Sequence, residues 1–227
     1  MLGTVLTTMM MLVAPSHGGE GIHEVSIEGA GISVLDPSWE MFSNDGFYSK
    51  NGLRAGYGFN ENLTILGGWR RGAREVSVNS GYGGYDYDEY YYYGDYSDST
   101  DQSMSLDFVG NEFSVGAKYA IPVKSWLQPY GIIQTMGTLG RIRVGTGDED
   151  DDRHFYSFAP GAALGGGVDV VFGRADRFFQ YATYLEGGYT HMISFKFDDE
   201  AASGDGPSIG KLSLNGSYIN WGVGLRF

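Results

Sequence analysis

The last eleven residues, Ser217 to Phe227, read S-Y-I-N-W-G-V-G-L-R-F. Ile219, Trp221, Val223, Leu225 and Phe227 share one parity, while Tyr218, Asn220, Gly222, Gly224 and Arg226 share the other. A period of two belongs to a strand whose faces differ, here one apolar and one small or polar. The same alternation recurs upstream. It sets Leu53, Ala55, Tyr57 and Phe59 against Arg54, Gly56 and Gly58, then Leu63, Ile65, Gly67 and Trp69 against Thr64, Leu66, Gly68, Arg70 and Arg74. A fourth segment opposes Phe113, Val115, Ala117, Tyr119 and Ile121 to Glu112, Ser114, Gly116 and Lys118. In a fifth, Tyr130, Ile132, Met136, Ile142 and Val144 oppose Arg141 and Arg143.

The sixth segment sets Tyr156, Phe158, Ala162, Leu164, Val168, Val170 and Phe172 against Ser157, Gly161, Ala163, Gly165, Gly167 and Asp169. The seventh sets Phe179, Tyr181, Leu185, Tyr189, Ile193, Phe195 and Phe197 against Gln180, Ala182, Tyr184, Glu186, Thr190, Ser194 and Lys196. A first segment, from about His23 to Leu35, changes parity: Val25 and Ile27 fall on one side and Ala30, Ile32 and Val34 on the other, so a bulge near Gly29 or Gly31 is expected. The prediction is therefore eight strands. Short turns fall at Asn60–Asn62, Pro122–Ser125 and Gly173–Arg177, alternating with longer connections that include Ser80–Ser103, Asp148–Asp152 and Asp198–Ser208. This alternation puts the short turns and both termini at one end and the long loops at the other.

The closing strand with its terminal aromatic, and the alternation of long and short connections, resemble the small eight-stranded outer-membrane proteins of the OmpA and OmpX type. The resemblance runs from about residue 23 onward, and Trp126-Leu127-Gln128-Pro129-Tyr130-Gly131 is similar to a strand opening of that group. It implies an all-β chain, an eight-stranded antiparallel transmembrane up-and-down β-barrel in the cell outer membrane. In such proteins the terminal aromatic and the alternate hydrophobics before it, here Trp221, Val223, Leu225 and Phe227, are the signal read by the barrel-assembly machinery.

Alternation alone does not say which face meets lipid, and a soluble lipocalin-like barrel is the rival. Gly56, Gly58, Gly116, Gly161, Gly165, Gly167, Gly222 and Gly224 lie on the polar face. A water-exposed strand gains nothing from them, whereas a narrow lumen needs small residues beside long Arg and Glu side chains. The polar face is assigned inward. Arg54, Arg70, Arg74, Lys118, Arg141, Arg143, Lys196 and Arg226 then face the lumen, with Glu112, Asp169 and Glu186 as partners. That inventory is richer in base than acid. It fits a structural ion network, with an anion-favouring water path as the alternative.

At the N-terminus, Leu2 to Ala14 is apolar but too short to span a bilayer as a helix, and small residues follow near Ser16 and Gly18. Residues 1–18 are expected to be a signal peptide, with its basic flank missing or upstream, and 19–227 the barrel. No other stretch approaches a transmembrane helix, so a membrane crossing must be made by closed strands.

Chemistry finds little footing. The formal charge of -13 excludes phosphate-backbone recognition, so no nucleic-acid partner is expected, and the lack of cysteine removes disulfides and thiolate metal sites. His191 has the parity of the lipid face, His154 lies at a loop margin, and His17 and His23 flank the signal, so no Ser, His and acid converge as a triad. Asp148-Glu149-Asp150-Asp151-Asp152 lacks the spacing and glycine of an EF-hand loop, and Gly165-Gly166-Gly167 precedes no helix. No enzyme, metal or cofactor is expected.

Between Gly81 and Asp101, Tyr82, Tyr85, Tyr87, Tyr90, Tyr91, Tyr92, Tyr93 and Tyr96 are interleaved with acidic residues. Tyrosine offers a large apolar body with a polar tip and few rotors, and the carboxylates would draw basic partners. A low-complexity loop of that composition is the plainer reading. The expected function is a monomeric, lipid-embedded outer-membrane barrel with a structural role, or a binding role toward an extracellular basic protein or glycan. The alternatives are a narrow anion-favouring pore and an outer-membrane lipid-modifying enzyme.

Overall fold

The computed structural model describes residues 23–43, 45–60, 62–79, 103–121, 123–145, 153–173, 179–197 and 211–227. Its strands are β1 (His23–Val34), β2 (Phe47–Gly58), β3 (Leu63–Asn79), β4 (Ser103–Ala120), β5 (Leu127–Gly145), β6 (Arg153–Phe172), β7 (Gln180–Met192), β8 (Phe195–Lys196), β9 (Lys211–Leu212) and β10 (Gly216–Arg226). Eight close into a barrel in the order β1-β10-β7-β6-β5-β4-β3-β2, every pair antiparallel, while β8 and β9 form a separate two-stranded ribbon. Closure pairs every barrel strand on both sides through the proximal part of the wall, whereas distally Gly72–Asn79 of β3 and Arg153–Pro160 of β6 are paired on one side only. The ends of the chain share this seam: His23 N–H donates to Phe227 O at 2.6 Å and Phe227 N–H to His23 O at 2.8 Å. The strand ends joined as β2–β3, β4–β5 and β6–β7 lie at this proximal end, and the opposite strand ends at the distal end.

The outer wall is apolar. Ile27, Leu164, Val115 and Ile133 are 69%, 66%, 62% and 60% exposed, and Trp69, Phe113, Leu185, Ile219, Trp221, Val223 and Leu225 continue the same belt. Water would not tolerate an apolar patch of that extent on a monomer, and a lipid-facing band of this kind is what a transmembrane barrel carries. The structure is an eight-stranded antiparallel up-and-down barrel built to cross a membrane.

Three parts of the sequence pattern resolve differently from expectation. β1 has no bulge: its pairing with β10 runs unbroken from Glu24↔Arg226 to Val34↔Gly216, and with β2 from His23↔Tyr57 to Ser33↔Phe47. Ala30, Ile32 and Val34 are buried on the inward parity of Ser26 and Glu28. In β5 the two faces are exchanged. Tyr130, Ile132, Met136, Ile142 and Val144 are the buried, inward residues, while Ile133, Thr135, Leu139, Arg141 and Arg143 lie on the outward parity. Finally, the seventh segment breaks at Ile193-Ser194, so that Phe195 and Phe197 are 0% and 1% exposed and Lys196 points to solvent.

An apolar plug in the distal lumen accounts for β1, for the break before Phe195 and for Met136, Ile142 and Val144 of β5, while Tyr130 and Ile132 pack inward with Leu66 and Ala120 in a second, proximal cluster. A short 3-10 helix (Pro37–Met41) begins at an Asp36 cap whose side chain accepts from Ser38 N–H at 2.9 Å, with Pro37 at its first turn. It carries Trp39 into the mouth of the barrel. Trp39 lies 5.1 Å from Tyr48, 5.3 Å from Phe42 and 5.4 Å from Phe108, ring centre to ring centre. Phe108 in turn meets Phe195 edge to face at 5.8 Å. Ile32, Val34, Met136, Ile142, Val144, Met192, Phe197, Leu212 and Leu214 complete the cluster. Asp36 also binds the ribbon through Ser213 N–H at 2.7 Å, tying helix and ribbon together.

Candidate functional site

Beneath the plug the lumen is filled by charge. Counting the described residues, the acids are Glu24, Glu28, Glu112, Asp169 and Glu186 and the bases Lys50, Arg54, Arg70, Lys118 and Arg226, five of each. They fall into two groups. In the upper one, Glu28 meets Arg70 at 2.7 Å, Arg70 meets Glu112 at 3.0 Å, and Glu112 meets Lys50 at 2.5 Å. Arg54 completes it, 3.1 Å from Glu186 and 3.9 Å from Glu28. The lower group is a closed ring: Lys118 and Arg226 each reach both Glu24 and Asp169, at 2.9 to 3.3 Å. Each group is neutral, three against three and two against two.

Neutral partners fill the remaining valences. Tyr184 donates to Glu28 at 2.5 Å, Tyr130 to Glu186 at 3.1 Å, the Asn220 amide to Glu186 at 3.0 Å, and Arg226 to Gln128 at 2.8 Å. The Arg54 guanidinium lies 3.6 Å above the Tyr184 ring. Burying this many charges is tolerated only when they are paired and hydrogen-bonded, and here each carboxylate has at least two polar partners. The inward glycines make room for the tyrosines. A Cβ on Gly222 would stand 2.4 Å from the Tyr184 ring, and one on Gly165 would stand 2.2 Å from the Tyr218 hydroxyl.

Of the residues expected in the lumen, Arg54, Arg70, Glu112, Lys118, Asp169, Glu186 and Arg226 are buried together. Arg74 faces inward but sits at the distal rim, where it donates to Phe42 O at 3.1 Å, to Ser43 Oγ at 3.0 Å and to Asp45 at 3.4 Å. It clasps the segment that follows the 3-10 helix. Asp45 is fully exposed; hydrogen bonds from the Ser43 hydroxyl and the Phe47 N–H, with the Arg74 charge, hold its carboxyl below the ordinary carboxylate range. Three residues are not in the lumen. Arg141 and Arg143 are on the outer wall, because the distal interior of β5 is apolar, and Lys196 is exposed on β8, because the chain breaks phase before it.

Sequence reasoning missed Glu24, Glu28 and Lys50, whose inclusion turns a basic excess into a balance. The signal was present. Glu24, Ser26 and Glu28 oppose Val25 and Ile27, and Lys50 shares the parity of Arg54. The closing-strand residues Trp221, Val223 and Leu225 face outward, and Phe227 stacks near His23, ring centres 6.0 Å apart. His23 also meets Tyr57 at 5.2 Å, and His154 and His191 are exposed. The signal segment 1–18, His17, the tyrosines from Tyr82 to Tyr96 and the acidic run Asp148–Asp152 lie outside the described residues.

A cavity of about 10 Å³ separates the upper charge group from the plug, lined by Lys50, Arg70, Gln134, Met136, Tyr218 and Asn220 among others. That is about the space of one water molecule.

No family model and no curated protein matches the chain. Among solved structures it is similar to Ail, the attachment invasion locus protein of Yersinia pestis, in complex with the heparin analogue sucrose octasulfate. Identity is 13%, covering 92% of this chain and 99% of that one, with a TM-score of 0.39. It is similar to the outer membrane protein OprG from Pseudomonas aeruginosa, at 12% identity over 92% of this chain and 98% of that one, TM-score 0.47. A third is Neisserial surface protein A, at 15% identity over 92% and 96% of the two chains, TM-score 0.39.

Proposed function

We propose that this chain is a monomeric integral outer-membrane protein whose barrel is a non-conducting scaffold and whose distal loops carry its function by binding at the cell surface. The observation that carries this reading is the lumen itself: among the described residues, two neutral charge groups fill it beneath an aromatic plug. The anion-favouring pore depended on an interior excess of base. With five acids facing five bases among the described residues, that excess is gone.

Residues 1–18 would direct export, and Trp221, Val223, Leu225 and Phe227 would present the closing strand to the assembly machinery. The binding element is the loop bearing Tyr90, Tyr91, Tyr92 and Tyr93, whose aromatic and acidic composition suits a basic protein or a glycan. Replacing these four tyrosines with serine should leave barrel folding intact and abolish attachment to at least one member of a panel of basic proteins and surface glycans. Unchanged attachment across the panel, with intact folding, would remove the binding role from this loop.

A further inference from the structure

Among the described residues, two arginines on the outer wall face no acidic side chain. Arg71 projects from β3 and Arg141 from β5, on either side of β4, and among the described residues neither has an acidic partner. The Nε of Arg141 is buried and makes no hydrogen bond. One row further out the situation differs: Asp107 faces Arg143 at 3.7 Å, with Glu75 beside it. Acid is thus supplied to the outermost cation and withheld from the inner two.

The register fixes their rows. Arg71 stands in the row Asn51–Arg71–Asn111–Leu139–Phe158, immediately distal to the row that holds Leu53, Trp69 and Phe113. Arg141 is one row further, between Val109 and Tyr156. An outward arginine costs about 2 to 4 kcal/mol at the bilayer midplane and about 0 to 1 near the interface, so this is the depth at which a barrel tolerates one. Lipid phosphates lie just outside that interface. Neighbouring strands are about 4.8 Å apart, so β3 and β5 are about 10 Å apart, within reach of two arginine side chains turned toward one anion. On β4 between them Val109 is short, and a shallow groove there is lined by Arg71, Val109, Asn111, Leu139, Arg141 and Phe158.

We infer that Arg71 and Arg141 form a site for the phosphate of an anionic lipid in the distal leaflet, with Asn111 as a further donor and an acyl chain lying along Leu139 and Phe158. A membrane lipid fits better than free phosphate for two reasons. The groove floor is apolar, and a chain of net charge -13 repels dissolved anions, whereas a lipid is delivered to this depth by the bilayer.

The site is tested by reconstituting the full chain in phosphatidylcholine vesicles doped with spin-labelled phosphatidylglycerol or spin-labelled phosphatidylcholine, and measuring the motionally restricted fraction of each. Wild type should prefer the anionic label by about tenfold. Arg71→Gln/Arg141→Gln should lower the preference to near unity, Arg71→Lys/Arg141→Lys should keep part of it, and the off-belt control Lys196→Gln should keep all of it. Folding of every variant is checked by its heat-sensitive gel migration. If the glutamine pair fails to fold, the graded loss between wild type and the lysine pair decides. No preference in wild type, or full preference in the glutamine or lysine pair, would overturn the proposal. Displacement of the label by millimolar inorganic phosphate would also overturn it, by making the site one for free anion.

Discussion

Replacing Glu28 by glutamine should destabilise the barrel by about 3 to 5 kcal/mol, the expected loss when one partner of a buried ion pair is removed and the other is left uncompensated. Glu28 is the hub of the upper group, accepting from Arg70 at 2.7 Å and from Tyr184 at 2.5 Å, with Arg54 at 3.9 Å. Glutamine keeps the shape but leaves three bases facing two acids in a lumen where Glu28 itself is 1% exposed. The double change Glu28→Leu/Arg70→Met should recover most of the loss, since Lys50 and Arg54 would again face Glu112 and Glu186 in equal number. Urea titration of the barrel in lipid vesicles reads both. A neutral Glu28→Gln variant would mean that water reaches the network.

Trp39→Ala should be comparably severe, about 3 to 5 kcal/mol, because it empties the centre of the distal plug. The ring is 0% exposed and touches Phe42, Tyr48 and Phe108 at favourable edge-on or tilted angles. Its Nε1 is buried without a partner, so Trp39→Phe, which retains a ring and removes that donor, should cost clearly less. The readouts are the same urea titration and the rate of proteolysis in the 35–46 segment, which should rise in the alanine variant and stay near wild type in the phenylalanine one. Equal losses in the two variants would place the stabilisation elsewhere than in the ring packing.

Strand number and the sense of the closing strand were legible because a period of two survives wherever a strand separates two unlike media. For β2, β3, β4, β6 and β10 those media are lipid outside and charge inside, and the parity reading placed Arg54, Arg70, Glu112, Lys118, Asp169 and Arg226 correctly. It fails where the media exchange. At the distal end the lumen becomes apolar and the outer wall leaves the hydrocarbon, so Ile142 and Val144 turn inward and Arg141 and Arg143 outward without any change in periodicity. Parity reports that two faces differ. It does not report which is inside.

The same exchange explains β1, where Ala30, Ile32 and Val34 continue the inward face of Glu24 and Glu28 as it rises from the charged layer into the plug. Reading that continuity as a bulge hid two of the five lumen acids. Phe195, Phe197 and Lys196 were misplaced for another reason. Nothing in an alternating pattern marks the point where a strand leaves the barrel wall and folds over its mouth, and only the tertiary contacts with Phe108 and the β8–β9 ribbon define it.

A membrane barrel closed by paired charge and by an aromatic plug should carry no current. Planar-bilayer recording of the purified full chain in molar potassium chloride reads this, because salt does not screen pairs buried this deeply. Insertion should leave the current at its baseline, in wild type and in Trp39→Ala alike, since the charge groups close the lumen beneath the plug. A stable, anion-favouring conductance in wild type would mean that the lumen is open.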